Sequence, residues 1–165
     1  MRQETTSSLR EIEDGPRGTL ETLKLMRAVT RAGKRSLAIR QLSGSLVNGA
    51  QQKDYAEEAR IIQAFVRDRI RYVRDIRGVE TIQTPEKTLE FGYGDCDDKS
   101  TLVASMLESI GHPTRFVAMG LRDGPFSHVY VETKLGTKWA GVETTEPVEF
   151  GWTPPDVTSR MVIYN

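Results

Sequence analysis

Apolar residues recur at helical spacing over the first two thirds of the chain and at every second position over the last third. The stretch TLETLKLMRAVTRAG sets Leu25, Ala28, Val29 and Ala32 three and four residues apart and stops at Gly33, which predicts a first helix. A second is predicted from about Ser36 to Val47, with Ala38, Ile39, Leu42 and Leu46 on one side and Asn48-Gly49 ending it. A third begins near Asp54, where Ile62, Phe65, Val66, Ile70 and Val73 form a stripe beside Arg60, Arg67, Asp68 and Arg71. From Arg77 to Gly94 the chain turns to Thr, Gly and Pro, with PEKTLEF as one short helix. Leu102, Val103, Met106, Leu107 and Ile110 then follow the i, i+3, i+4, i+7, i+8 template until Gly111 and Pro113 close it. Cys96 therefore falls at or near a helix N-terminus.

Beyond Pro113 the period becomes two. TRFVAMG, SHVYVETK and TKWAGVETT are short, β-branched or aromatic, and separated by turn residues. Helices first and strands last predict an α+β fold in which N-terminal helices and a cysteine helix pack on a small antiparallel sheet. The polar residues 1–17 read as an arm, 18–54 as an N-terminal helical segment and 55–150 as the core. The Pro-rich residues 151–165 read as a tail that wraps the surface and ends in one short strand.

Composition narrows the function. A chain of 165 residues suits one core. Lys plus Arg equals Asp plus Glu, so net charge points to neither nucleic acid nor an anionic membrane, and no run approaches spanning length. A single cysteine forms no internal disulfide, and no apolar leader opens the chain, so synthesis in a reducing cytoplasm is expected.

A cysteine at a helix start has a route to its thiolate through the positive end of the helix. Asp95, Asp97 and Asp98 oppose that ionisation, which makes a histidine partner necessary. His112 lies in GHP, after the cysteine helix, and reads as an exposed loop residue. His128 lies in SHVYVET, where alternation sets His128, Tyr130 and Glu132 on one face and Val129 and Val131 on the other. A hairpin closed by a two-residue loop at Leu135-Gly136, or by a four-residue loop at Lys134 to Thr137, puts His128 directly opposite Glu143. Such pairs have Cβ atoms about 4.5 to 5.5 Å apart, close enough for a carboxylate to accept the imidazole N–H. Gly94 is expected to let substrate or a neighbouring backbone approach the nucleophile. The DCDD run lacks EF-hand spacing, so no metal or cofactor is assigned to it.

These blocks carry a resemblance. GYGDCDDKSTLVASMLESIGHPTR resembles the cysteine-helix signature of transglutaminase-like domains, FSHVYVE their histidine strand, and WAGVETT the strand that ends in Asp-x-Thr. The order Cys, His, acid agrees, and the match covers a little over half the chain. The departure is Glu143, where the family usually has Asp. The resemblance implies a papain-like core with Cys96, His128 and Glu143 as catalytic residues. The oxyanion donors would be the Cys96 backbone N–H and a second group from Tyr93 or Gln83.

The function implied is cysteine-dependent acyl transfer on a protein or peptide amide, as a protease or amidase if water accepts the acyl group and as a transglutaminase if an amine does. The alternative follows from a second resemblance. VRDRIRYVRDIRGVETIQTPEKTLEFGYGDCDDKS and ETTEPVEFGWTPP are similar to uncharacterised transglutaminase-like proteins that tailed bacteriophages encode among their virion genes. That implies a non-catalytic component of a phage tail or head, with other phage structural proteins as partners and a place in the virion.

Overall fold

The computed structural model describes residues 12–75 and 81–165. Most of the predicted arm, residues 1–11, and the start of the loop after Arg77 lie outside the described residues. Among the described residues five helices precede a four-stranded sheet: α1 (Pro16–Gly33), α2 (Leu37–Val47), α3 (Tyr55–Arg69), α4 (Pro85–Phe91) and α5 (Cys96–Ser109), then β3 (Thr114–Leu121), β4 (Phe126–Leu135), β5 (Lys138–Val142) and β6 (Val157–Tyr164). A parallel two-stranded ladder of β1 (Arg71–Tyr72) and β2 (Tyr93–Gly94) ties the end of α3 to the residues just before Cys96.

Local chemistry sets the helix ends. Asp54 caps α3 by accepting the Glu57 N–H at 3.0 Å. Thr84 caps α4, Pro85 occupies its first turn, and Gly92 ends it at φ 69°. Helix α1 starts at Pro16, two residues inside the expected arm. Its buried face also differs from the predicted one: Leu23, Met26, Thr30 and Gly33 face the core, while Leu25 is 46% exposed. A Cβ on Gly33 would come 2.6 Å from Pro85 Cγ and 2.8 Å from Ser105 Oγ.

Helix α5 is the axis of the fold. It packs against α1, α2, α3, α4, β3 and β4, and every residue from Asp98 to Leu107 is buried. Leu102, Val103, Met106 and Leu107 each contribute roughly 1.5–3 kcal/mol by leaving water. The sheet order is β5-β4-β3-β6, with every pairing antiparallel. Phe116, Ala118, Val129 and Val131 join the helical core, while Val117, Met119 and Tyr130 form a small second cluster with Val162. The alternation predicted for β4 is thus present.

Two expectations change. The tail supplies a full eight-residue strand, β6, along β3 from Arg115–Tyr164 to Leu121–Val157. The β4–β5 hairpin turns at Gly136-Thr137, pairing Leu135 with Lys138 and Val131 with Val142. Gly136 takes φ +60°, which the turn requires and Leu135 would resist. That moves the register by two residues from the predicted one, so Tyr130 rather than His128 falls level with Glu143. A shift of two keeps every side chain on its predicted face.

Candidate active site

Cys96 is the first residue of α5, and the turn beneath it is unusually well fixed. Asp95 Oδ1 accepts the N–H groups of Asp97 (3.0 Å) and Asp98 (3.2 Å), and Asp98 Oδ2 accepts the Asp95 N–H at 3.3 Å, closing a capping box. The cap takes the N–H groups after Cys96 and not that of Cys96 itself. Asp98 also accepts the Gln83 backbone N–H at 2.7 Å and its amide Nε2–H at 3.0 Å, which binds the loop before α4 to the same turn. Gly94 has a role here other than the one expected. A Cβ on it would lie 2.6 Å from Asp98 Cβ and 2.8 Å from Asp98 Oδ2. The missing side chain makes room for the cap.

The thiol is held protonated. Burial pushes Cys96 far up, the charges of Asp97 and Asp95 push the same way, and a hydrogen bond from the Val129 backbone offsets only part of this. The sulfur also donates to Asp97 Oδ1 at 3.6 Å. That contact with Val129 brings Cys96 against β4 one residue from His128.

His128 Nε2 lies 2.7 Å from Glu143 Oε2. Glu143 is 1% exposed, and desolvation alone would favour its neutral form. The bond and the electrostatic attraction to His128, with the N–H groups of Thr145 and Glu146, outweigh desolvation and hold it below the usual carboxylate range. The Thr145 N–H reaches Oε1 at 2.6 Å and the Glu146 N–H at 3.4 Å. An ionised carboxylate only accepts, so Nε2 is the nitrogen that donates to it and Nδ1 is left outside the bond. With the hairpin register as observed, Glu143 is a diagonal rather than a direct neighbour of His128. The longer side chain of Glu spans that diagonal, which gives the departure from Asp a geometric reason.

The other predicted positions fall differently. Gln83 is tied to Asp98, and Tyr93 stacks on Phe91 with centroids 5.7 Å apart. His112 is buried, not exposed. Its Nε2 meets Glu58 Oε2 at 2.7 Å and its ring packs edge-on against Tyr55. It follows the far end of a 14-residue helix, about 20 Å from Cys96. Asp95, Cys96 and Asp97 can bring one ligand atom each within 4.8 Å of one another. Two carboxylates and a neutral thiol fall short of the six to eight oxygens that calcium takes.

Two buried polar residues beside the site escaped the sequence reading. Lys99 occupies the apolar face of α5, at i−3 from Leu102, with Nζ 2.6 Å from the Ile70 carbonyl and 3.4 Å from that of Arg67. Gln63 sits between Ile62 and Val66 on the buried face of α3 and donates to the Glu143 carbonyl at 2.8 Å. A polar residue at a stripe position was the available signal for each.

With this arrangement in place, likeness to known proteins becomes informative. The model of the transglutaminase-like superfamily matches residues 40–144, a span that includes Cys96, His128 and Glu143. This chain belongs to the transglutaminase-like superfamily. Solved structures share the fold at low identity. A candidate protease from Parabacteroides distasonis ATCC 8503 superposes with a TM-score of 0.60 at 13% identity, over 75% of this chain and 26% of that one. A candidate cysteine protease from Cytophaga hutchinsonii gives 0.56 at 16% identity, over 78% and 46%. Calcium-bound LapG of Legionella pneumophila gives 0.57 at 14% identity, over 81% and 80%. The transglutaminase-like chain thus spans about a quarter of the first and under half of the second. No curated protein matches it.

Proposed function

We propose that this transglutaminase-like domain is a cysteine-dependent acyl-transfer enzyme that cleaves peptide amides, with Cys96 as nucleophile, His128 as general base and acid, and Glu143 as the group that orients His128. The observation that carries the reading is the 2.7 Å bond from His128 Nε2 to a buried, ionised Glu143. It fixes the tautomer that leaves Nδ1 as the base.

Because the resting thiol is neutral, proton transfer accompanies attack. Nδ1 takes the Cys96 proton as sulfur bonds to the amide carbon, and the carbonyl electron pair moves onto oxygen, where the Cys96 N–H at the helix start can receive it. Collapse of that adduct breaks the C–N bond, and Nδ1–H protonates the leaving amine. Water then attacks the thioester, gives its proton to Nδ1 and releases the acid and the thiol. An amine in place of water gives transamidation. Tyr93 and Gln83 remain the proposed sources of a second oxyanion donor, each after a rearrangement of its present contact. A phage virion role for a non-catalytic domain is the weaker reading, since neither the family model nor the three structures bring in a phage protein.

The test is labelling of Cys96 by iodoacetamide in the wild type, Cys96→Ala and His128→Ala, followed by mass spectrometry. Each sample is run with calcium and with EGTA, because LapG structures exist in both states. The wild type should label on the sulfur of Cys96 at a rate that His128→Ala lowers by about 10²-fold or more, the scale of a lost general base. Equal, slow labelling of wild type and His128→Ala under both conditions would overturn the enzyme reading and leave a scaffold. Adding a fluorescent primary amine to a casein digest then separates hydrolysis from transamidation.

A further inference from the structure

The C-terminal half of α3 touches both halves of the proposed site without reaching a reacting atom. From the nucleophile helix, Lys99 lies one turn after Cys96, is 2% exposed, and donates to the Ile70 and Arg67 carbonyls at the C-terminal end of α3. From the acid segment, the Glu143 carbonyl accepts from Gln63 Nε2 at 2.8 Å, and Gln63 is 1% exposed. Arg67 Nη1 reaches the Val148 carbonyl at 3.0 Å, and Gln63 Nε2 reaches the same oxygen at 3.4 Å. Helix α3 thus ties the cysteine helix and the Glu143 segment together through side-chain hydrogen bonds.

Lys99 is costly to bury, and apolar packing does not need it. A desolvated ammonium is tolerated where it is paired with acceptors, and the negative end of a helix dipole supplies them. Burial pushes Lys99 down to about 8, while the charges of Glu143 and Asp68 favour its charged form and that of Arg67 opposes it.

We infer that Lys99 and Gln63 are positioning residues of the acyl-transfer site, holding the cysteine helix and the Glu143 segment against the C-terminal half of α3. This rests on the triad reading above. It adds that the site's alignment depends on a lysine and an amide that never meet substrate.

The experiment compares wild type, Lys99→Met, Lys99→Arg and Gln63→Met, all checked for folding by circular dichroism. Cys96 alkylation by iodoacetamide is followed against pH, and the ring nitrogens of His128 are read by ¹⁵N NMR. Lys99→Met keeps length and removes charge. It should cut the rate at pH 7 by about 10²-fold, as a roughly 1 Å misplacement does. The NMR signals should show His128 losing its Nε2–H preference. Lys99→Arg should recover part of the rate. Gln63→Met carries the test if Lys99→Met fails to fold, and should lower the rate and blur the tautomer. Folded variants with wild-type rates and an unchanged tautomer would overturn the inference and make both residues ordinary core polar groups. A His128→Ala control that labels as fast as wild type would instead overturn the triad, whatever the Lys99 variants do.

Discussion

Glu143 concentrates the chemistry of this site into one carboxylate. Its Oε2 holds His128 and its Oε1 is held by Thr145 and Glu146, so each oxygen has a task. Glu143→Gln should keep the fold and lose activity by up to about 10⁴-fold, through the wrong tautomer and a less stable imidazolium. Glu143→Asp retains charge but shortens the reach across the diagonal, and should fall between wild type and Gln in alkylation rate at pH 6–7. The lowered carboxylate also links to stability. Its contribution is fully present above the ordinary value of 4.5 and is lost as pH falls through the lower native value. Urea unfolding should therefore separate wild type from Glu143→Gln at pH 7 and bring them together near pH 3. A gap that persists at pH 3 would contradict this. The residue types were legible in the sequence because cysteine, histidine and acid sit at element positions that a period of two or 3.6 reveals. What could not be read was the contact geometry: the choice between Leu135 and Gly136 as first turn residue rests on a backbone angle, and the two registers bury the same side chains.

The first turn of α5 is where secondary structure becomes site architecture. Gly94→Ala should lower stability by about 1–3 kcal/mol through overpacking against Asp98, and slow Cys96 alkylation as the cap loosens. Thermal unfolding with unchanged Tm would show that the turn yields freely. Asp98 supplies a second check. Burial pushes it up to about 7 against the donated N–H groups of Gln83 and Asp95, with the Asp95 charge adding to the rise. A carboxyl raised in the native state stabilises most when protonated, so its contribution falls as pH rises from the ordinary 3.8 to about 7 and is level above that. The stability difference between wild type and Asp98→Asn should shrink over that interval in urea titrations. A difference flat from pH 4 to 8 would refute it. The existence of α5, its cap and its neighbours was legible from spacing and from acids in a first turn. The buried face of α1 was not, because Ala28 and Ala32 fit either side of a helix, whereas Gly33 faces inward for reasons that lie in Pro85 and Ser105.

At the scale of the whole molecule, layers and strand order follow from the change of period, yet the sheet is completed by residues that the sequence presents as tail. Pro-rich composition hides β6, whose alternation is weak and whose pairing with β3 is decided by an edge that only the assembled sheet offers. The same assembly half-covers the chain's one cysteine between the helix start and β4. Peroxide attacks thiolate rather than thiol, so a half-covered sulfur whose thiol is pushed up is a poor target for oxidation unless a base takes its proton. Incubation of His128→Ala with hydrogen peroxide at neutral pH should leave intact-mass spectra nearly free of sulfenic, sulfinic or disulfide-dimer species over times that convert the exposed thiol of glutathione, whereas the urea-unfolded chain should oxidise readily. Rapid gain of oxygen mass by the folded variant would show that the sulfur ionises without His128. In the proposed mechanism the same covering keeps the sulfur quiet until its base is in place.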